Sequence, residues 1–208
     1  KILKQTSRDQ MWTQVTLRDG RKYPYGFGWE LDDVRGVPAI RHGGSLPGFR
    51  AEYLRLPGYD LTIIILCNQN ANVAVIARWV ASLYIPDIHL TALQPQPVPD
   101  QEMTKMLRGL LENLANGLKD LPSVTSEFRA GWAGMSQSSR AELGALLKKE
   151  ESFDFLTRKD VRDKALQRLG VPIASIWHYK LVTADLTRYY SFYLTAEKRF
   201  AFMEGSSN

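Results

Sequence analysis

The sequence predicts an α+β protein that is built from antiparallel strands and a few helices in two parts. Apolar residues repeat with a period of two in some segments and with a helical period in others. Alternating prolines at residues 93–100 favour a stiff, extended linker. We therefore expect a first domain at residues 1–92, a linker at 93–100 and an α+β accessory domain at 101–208.

The first domain is expected to be an antiparallel meander. Asp32 and Asp33 predict a turn inside the first hairpin, and the prolyl-glycyl pair at Pro57 and Gly58 predicts a turn inside the second. Aromatic and β-branched residues between these turns are typical of strands. Four strands are predicted, at residues 23–29, 37–42, 49–56 and 61–67.

The strand at residues 61–67 is almost uninterrupted in its apolar character, which predicts cover on both faces. A helix that starts at Asn70 or Asn72 and runs to Tyr84 follows it and could cover one face. Cys67 ends the strand, and we expect a buried thiol there. A single cysteine excludes an internal disulfide and any multi-cysteine metal site, and no residue pattern calls for a metal or a cofactor.

The accessory domain begins with a periodic helix. Asp100 precedes an apolar stripe of helical spacing, and Pro122 is expected to end the helix. The period then changes to two, which predicts strands at residues 153–155, 173–181, 189–194 and 200–203. This order of elements resembles that of nuclear-transport-factor-like (NTF2-like) or cystatin-like folds, in which a curved sheet wraps a long helix.

Charge and hydropathy exclude several classes of partner. The net charge of +5 is spread evenly, with +2 over residues 1–100 and +3 over 101–208, so no clustered basic face for nucleic acid is expected. No stretch reaches the roughly 18 apolar residues of a membrane span. The composition leaves the oligomeric state open.

The glycines around His42 are the most informative local feature. The motif Tyr25-Gly26-Phe27-Gly28-Trp29 leads to His42-Gly43-Gly44-Ser45, in a segment that otherwise has the pattern of a strand. Glycine weakens a strand interior, so its presence there indicates a bulge or the close approach of another backbone or a ligand. We therefore expect a ligand to approach this strand.

These motifs, with Pro47-Gly48-Phe49 and Leu66-Cys67-Asn68 in the same order, resemble the C-terminal part of the serine beta-lactamase and penicillin-binding-protein superfamily. The resemblance covers residues 1 to about 90 and is strongest to class C-like esterases and D-peptidases. In that superfamily a strand with Lys-Thr-Gly or His-x-Gly borders the active site. The resemblance therefore implies a beta-lactamase-like fold for the first domain.

The resemblance also implies roles for individual residues. His42 would orient the substrate or stabilise the proton relay, and Gly43 and Gly44 would let the substrate backbone lie against the strand. The backbone N–H of Ser45 would be one oxyanion-hole donor. The Ser45 side chain does not lie in a Gly-x-Ser-x-Gly nucleophile motif, and its base would have to come from elsewhere in the fold.

The nucleophile of the superfamily is missing from this sequence. No serine has a lysine three residues later, and no Tyr-x-Asn or Ser-x-Asn element precedes the His42 strand. We therefore expect the chain to be the C-terminal portion of a longer serine hydrolase, to need the missing N-terminal segment of that hydrolase as its partner, and to be inactive alone. The alternatives are a non-catalytic binding or assembly module and a catalytically dead homologue.

The expected substrate is a small-molecule or peptide-like acyl compound. An imidazole, mostly neutral near pH 7, replaces the ammonium group that would pair with a penicillin carboxylate. This exchange favours ester or D-aminoacyl peptide hydrolysis over penicillin hydrolysis. The compartment is not encoded in the residues, and the resemblance favours a periplasmic or extracellular location.

Overall fold

The chain forms two compact units. The computed structural model describes residues 2–20, 22–117, 121–132, 136–161, 167–168 and 170–207. The first unit contains Lys1–His89 together with Ala165–Gly170, and the second contains Leu90–Lys164 and Val171–Asn208. Both units combine helices with antiparallel strands, which confirms the predicted α+β class.

The first unit is built on a four-stranded antiparallel sheet with the strand order β3-β4-β5-β6. A separate two-stranded ladder of β1 and β2 precedes it. The elements are α1 (Gln5–Met11), β1 (Val15–Thr16), β2 (Lys22–Tyr23), β3 (Glu30–Val34), β4 (Val37–Leu46), β5 (Phe49–Leu56), β6 (Leu61–Cys67) and α2 (Val73–Tyr84).

The predicted position of the first hairpin in the sequence is wrong. The strand that pairs with β4 is β3, not residues 23–29. The turn between β3 and β4 lies at Arg35 and Gly36 rather than at Asp32 and Asp33. Both turn residues have positive φ, 50° and 81°, which a two-residue hairpin turn requires. Gly26 packs directly against the backbone of Met11, the last residue of α1.

Helix α2 covers one face of this sheet. Asn72 caps the helix by accepting a hydrogen bond from the Val75 N–H, in agreement with one of the two predicted starts. The opposite face of β6 is not covered by the described residues, since Ile64 and Leu66 are 63% and 81% exposed. Cys67 is partly exposed, so the prediction of a buried thiol is wrong.

Among its described residues, the second unit has three helices and a sheet with the strand order β12-β11-β10-β7. Its first helix is capped by Asp100 as predicted but ends well before Pro122, and Gly117 adopts a positive φ of 93° just beyond it. The elements are α3 (Gln101–Ala115), α4 (Ser126–Trp132), α5 (Gln137–Lys148), β7 (Glu150–Asp160), β8 (Gln167–Arg168), β9 (Val171–Pro172), β10 (Ser175–Thr183), β11 (Thr187–Leu194) and β12 (Phe200–Ser207), of which β8 belongs to the first unit.

The core of the second unit is rich in aromatic side chains. Tyr179 is fully buried, and its ring stacks on that of Phe153 with centroids 4.5 Å apart. The proline-rich segment lies against this unit, since Gln96 N–H donates to the Phe155 carbonyl at 2.9 Å. None of the helices in the described part of the chain is long and apolar enough to cross a membrane.

A buried ion pair ties β8 to β3 within the first unit. Arg168 pairs with Asp32, and its Nη2 lies 2.8 Å from Oδ1 of Asp33. Asp33 is fully buried, and its other oxygen accepts from the Gly36 N–H at 2.6 Å. The two aspartates that suggested a turn are therefore strand residues that both pair with an arginine far away in the sequence.

A second ionic group lies beneath the His42 strand. Glu52 is 4% exposed, and Arg41 reaches it with Nε at 3.6 Å while its Nη2 pairs with Glu30 at 2.8 Å. Burial raises the pKa of the Glu52 carboxyl, the nearby Glu30 adds to the rise, and Arg41 opposes it. The folded protein therefore binds the Glu52 proton more tightly than an unfolded chain does.

We predict that Arg168→Met lowers the free energy of unfolding by about 3 to 5 kcal/mol, because it leaves a buried carboxylate without its cation. Urea unfolding followed by circular dichroism measures this loss. The matched control is Lys105→Met, which removes an exposed pair with Glu102 and should cost less than about 1 kcal/mol. Equal small losses in both variants would contradict a structural role for the Arg168 pair.

We predict that Glu52→Gln stabilises the protein at neutral pH but not in acid. Because the folded-state pKa is raised, the contribution of the protonated carboxyl is lost as pH rises through that pKa, whereas glutamine stays neutral. The melting temperature of the variant relative to wild type should increase from about pH 4 to about pH 7. Glu151→Gln, at an exposed site, is the control and should show no such trend. A falling difference for Glu52→Gln would contradict the prediction.

Candidate active-site strand

The end of β4 extends beyond its neighbour on one side. The ladder between β3 and β4 stops at the pair of Glu30 and Arg41. The ladder between β4 and β5 continues to the pair of Leu46 and Phe49. Residues 42–46 are therefore paired along one edge by β5 and extend past the end of β3 along the other.

The backbone N–H of Ser45 points towards this open edge. The two-residue turn of the first hairpin makes Val34 and Val37 a hydrogen-bonded pair, and such pairs alternate along an antiparallel ladder. By this alternation, the backbone N–H and C=O groups of Arg41 are hydrogen-bonded to β3. The backbone groups of Gly43 and Ser45 point to the same side of β4. The N–H groups of Gly43 and Ser45 consequently point past the end of β3.

Alternation also divides the side chains of the sheet between two faces. We call the surface formed by His42, Gly44, Leu46, Phe49, Ala51, Tyr53, Ile64 and Leu66 the histidine face. The register confirms that these residues lie side by side, with His42 opposite Tyr53 and Tyr53 opposite Ile64. The Ser45 side chain lies on the other face, with Arg41 and Gly43. The structure thus brings His42 and Gly44 together and separates the Ser45 hydroxyl from the imidazole.

The two glycines after His42 have different surroundings. A Cβ at Gly43 would lie 3.2 Å from Oε2 of the buried Glu52, which is tighter than ordinary contacts. A Cβ at Gly44 would meet only the Ala51 Cβ, at an ordinary 3.5 Å. Packing within the described chain therefore explains glycine at position 43 but does not require it at position 44.

His42 is exposed and is framed by aromatic side chains. The Tyr25 hydroxyl lies 3.2 Å from its Nε2, and the two rings meet edge to face. Tyr53, which pairs with His42 across the strands, packs on Trp29 with ring centroids 4.9 Å apart. Sequence reasoning found the histidine but missed Tyr25 as its partner, although the motif that contains Tyr25 was part of the signal.

On the face that carries α2, residues 43–45 border an open depression of about 460 Å³. Arg50 lines it and donates to the carbonyls of Leu46 and Phe49 and to Asn70. These bonds fix the β4–β5 turn against the segment that leads to α2. The alternation of side chains along β5 could have placed Arg50 on this face. Its hydrogen-bond partners could not be predicted, because they depend on the conformation of the loops.

No group of three or more His, Cys, Asp or Glu side chains that could hold a metal ion occurs among the residues described by the structure. His42 has a tyrosine as its hydrogen-bond partner rather than a carboxylate or a thiol. The chemistry that the strand offers consists of an exposed imidazole, backbone donors along an open edge and a glycine without a side chain.

Comparison with known proteins gives distant relatives. A D-aminopeptidase of Cereibacter sphaeroides is 28% identical over 181 residues, which cover 80% of this chain and 34% of that protein. A D-aminopeptidase of Gluconobacter oxydans is 34% identical over 74 residues, 35% of this chain and 14% of that protein. Penicillin-binding protein 4* of Bacillus subtilis is 24% identical over 110 residues, 52% of this chain and 24% of that protein.

No protein-family model matches the chain, and no solved structure matches it significantly. The chain spans about a third or less of the length of these curated relatives. Because the match to the Cereibacter protein covers 80% of the chain, it includes residues of both units. The chain is therefore distantly similar to parts of D-aminopeptidases and of a penicillin-binding protein.

Proposed function

We propose that the first unit is the C-terminal part of the catalytic domain of a serine hydrolase of the beta-lactamase-like superfamily. It supplies the His42-Gly43-Gly44 strand, and the preceding part of the same polypeptide supplies the serine nucleophile. Residues 101–208 are an accessory domain of that hydrolase. The distant similarity to D-aminopeptidases and to a penicillin-binding protein supports this assignment.

The observation that carries the proposal is the composition of the histidine face. Leu46, Phe49, Ile64 and Leu66 are all more than half exposed and lie in adjacent rows around His42 and Gly44. Exposed apolar patches of this kind mark surfaces that another element or partner covers. The nucleophile-bearing segment, packed on this face, would bury the apolar side chains and place its serine beside the imidazole.

The reaction is acyl transfer through a covalent intermediate. The serine oxygen attacks the carbonyl carbon of an ester or amide, and the carbonyl oxygen becomes negative. The Ser45 N–H, which points to the open edge of β4, donates to this oxygen. The serine hydroxyl gives up its proton during the attack, and the leaving group takes up that proton as its bond to the carbonyl carbon breaks. Water then hydrolyses the acyl-enzyme to the acid and the free serine. His42 orients the substrate or stabilises the proton relay.

Position 44 fits an extended acyl substrate. The absence of a side chain there has no counterpart in the packing of the chain, so it leaves room for a substrate backbone along the strand. An imidazole in place of an ammonium group favours hydrolysis of esters or D-aminoacyl peptides over hydrolysis of a penicillin, whose carboxylate would pair with the ammonium group. The similarity across both units to a protein named D-aminopeptidase favours a D-peptide-like substrate.

We predict that, in the complete polypeptide, His42→Ala lowers kcat/KM for an activated ester or a D-aminoacyl amide by about 10- to 1000-fold. Gly44→Val should lower it as much without changing any ionisable group, because a branched side chain would block the approach to the oxyanion-hole donor. Steady-state hydrolysis measures both. His89→Ala, which changes a histidine outside the histidine face, is the control and should retain activity.

A folded, complete enzyme that is indifferent to both the His42 and the Gly44 change would place its active site elsewhere. A complete polypeptide without Ser-x-x-Lys and without acylation by an ester would be the catalytically dead homologue. In that case the histidine face would remain a packing surface, and the binding or assembly alternative would take the place of catalysis.

A further inference from the structure

The Tyr25 hydroxyl is the side-chain hydrogen-bond partner that the structure gives His42. Its oxygen lies 3.2 Å from Nε2 of the imidazole, and the ring planes are inclined by 67°. The proposed function uses the imidazole but assigns no role to this phenol. The contact joins a residue before β3 to the end of β4, so it depends on how the intervening loop is held.

The loop that carries Tyr25 is held firmly by its backbone. The Tyr25 carbonyl accepts from the Val15 N–H at 3.0 Å, and the Gly26 N–H donates to the Trp29 carbonyl at 2.8 Å. A Cβ at Gly26 would come within 2.0 Å of the Met11 carbonyl oxygen, so only glycine fits there. This close approach fixes the backbone immediately next to Tyr25 and hence the origin of its side chain.

A neutral imidazole has one nitrogen that donates and one that accepts, and the partner of one nitrogen determines the proton on the other. A neutral phenol O–H readily donates a hydrogen bond to the unprotonated nitrogen of an imidazole. We infer that Tyr25 is a positioning residue that donates to Nε2 and thereby holds His42 in the Nδ1–H tautomer. The inference rests on the proposed function for its catalytic meaning but not for the tautomer itself.

The tautomer determines what His42 can do. With Nε2 engaged by the phenol, the proton sits on Nδ1, and this nitrogen can only donate a hydrogen bond. The imidazole then serves as an oriented donor to an acceptor atom of the substrate or of the nucleophile. Without the Tyr25 hydroxyl the ring could exchange its two tautomers and rotate, so part of the population would present an acceptor instead.

The tautomer can be measured on this chain by long-range nitrogen–proton NMR of its three histidines at about pH 8.5, where an ordinary imidazole is neutral. We expect the Nδ1–H pattern for His42 in the wild type and a mixture dominated by Nε2–H in Tyr25→Phe. The matched control is Tyr23→Phe, which removes an exposed phenol two residues away and should leave the wild-type pattern. An Nε2–H tautomer in the wild type, or an unchanged pattern in Tyr25→Phe, would overturn the inference.

Activity of the complete polypeptide tests the catalytic part separately. Tyr25→Phe should lower kcat by about 5- to 10-fold with little change in KM and should alter the pH profile, because it removes one neutral hydrogen bond from the imidazole. If His42→Ala loses activity but Tyr25→Phe keeps full kcat and an unchanged pH profile, the catalytic role of Tyr25 is refuted and the proposed function is not. Full activity in both His42→Ala and Gly44→Val would instead refute the proposed function and leave the NMR result standing.

Discussion

The register between β4 and β5 is the constraint on which the candidate site depends. It sets His42 opposite Tyr53 and Gly43 opposite Glu52, so that the imidazole and the buried carboxylate lie on opposite faces of one sheet. A slip by one residue would exchange the two faces and bury the histidine beneath α2. The two-residue turn after Leu46 and the bonds of Arg50 to its carbonyls hold this register in place.

The same register places the two glycines of the motif in different surroundings. Gly43 is next to the Glu52 carboxylate, so it serves the ionic group under the strand. Gly44 lies on the histidine face beside Ala51, where the chain itself would accept a side chain. Internal packing thus favours glycine at position 43, whereas at position 44 the described chain leaves room for a Cβ.

Local patterns predicted β5, β6 and the helix cap at Asn72, because apolar periodicity and caps depend on near neighbours. They failed at β3, where Asp32 and Asp33 had the composition of a turn. Asp33 is buried and Asp32 is partly buried because both pair with Arg168, more than 130 residues away, and no local pattern reveals such a pair. The motif around His42 was recognisable from the sequence, but the contact with Tyr25 depends on a loop whose path is set by packing against α1.

If the histidine face forms one wall of an acyl-transfer site, a covalent label that is bound at that site should react with it. A phosphonate ester that reacts with the serine of the complete polypeptide, and that carries a photoreactive diazirine on its acyl side, would mark the neighbouring wall after illumination. Trypsin cuts after Arg41 and Arg50, so residues 42–50 form one peptide. We expect crosslinks in this peptide. Crosslinks confined to peptides of residues 101–208 would contradict it.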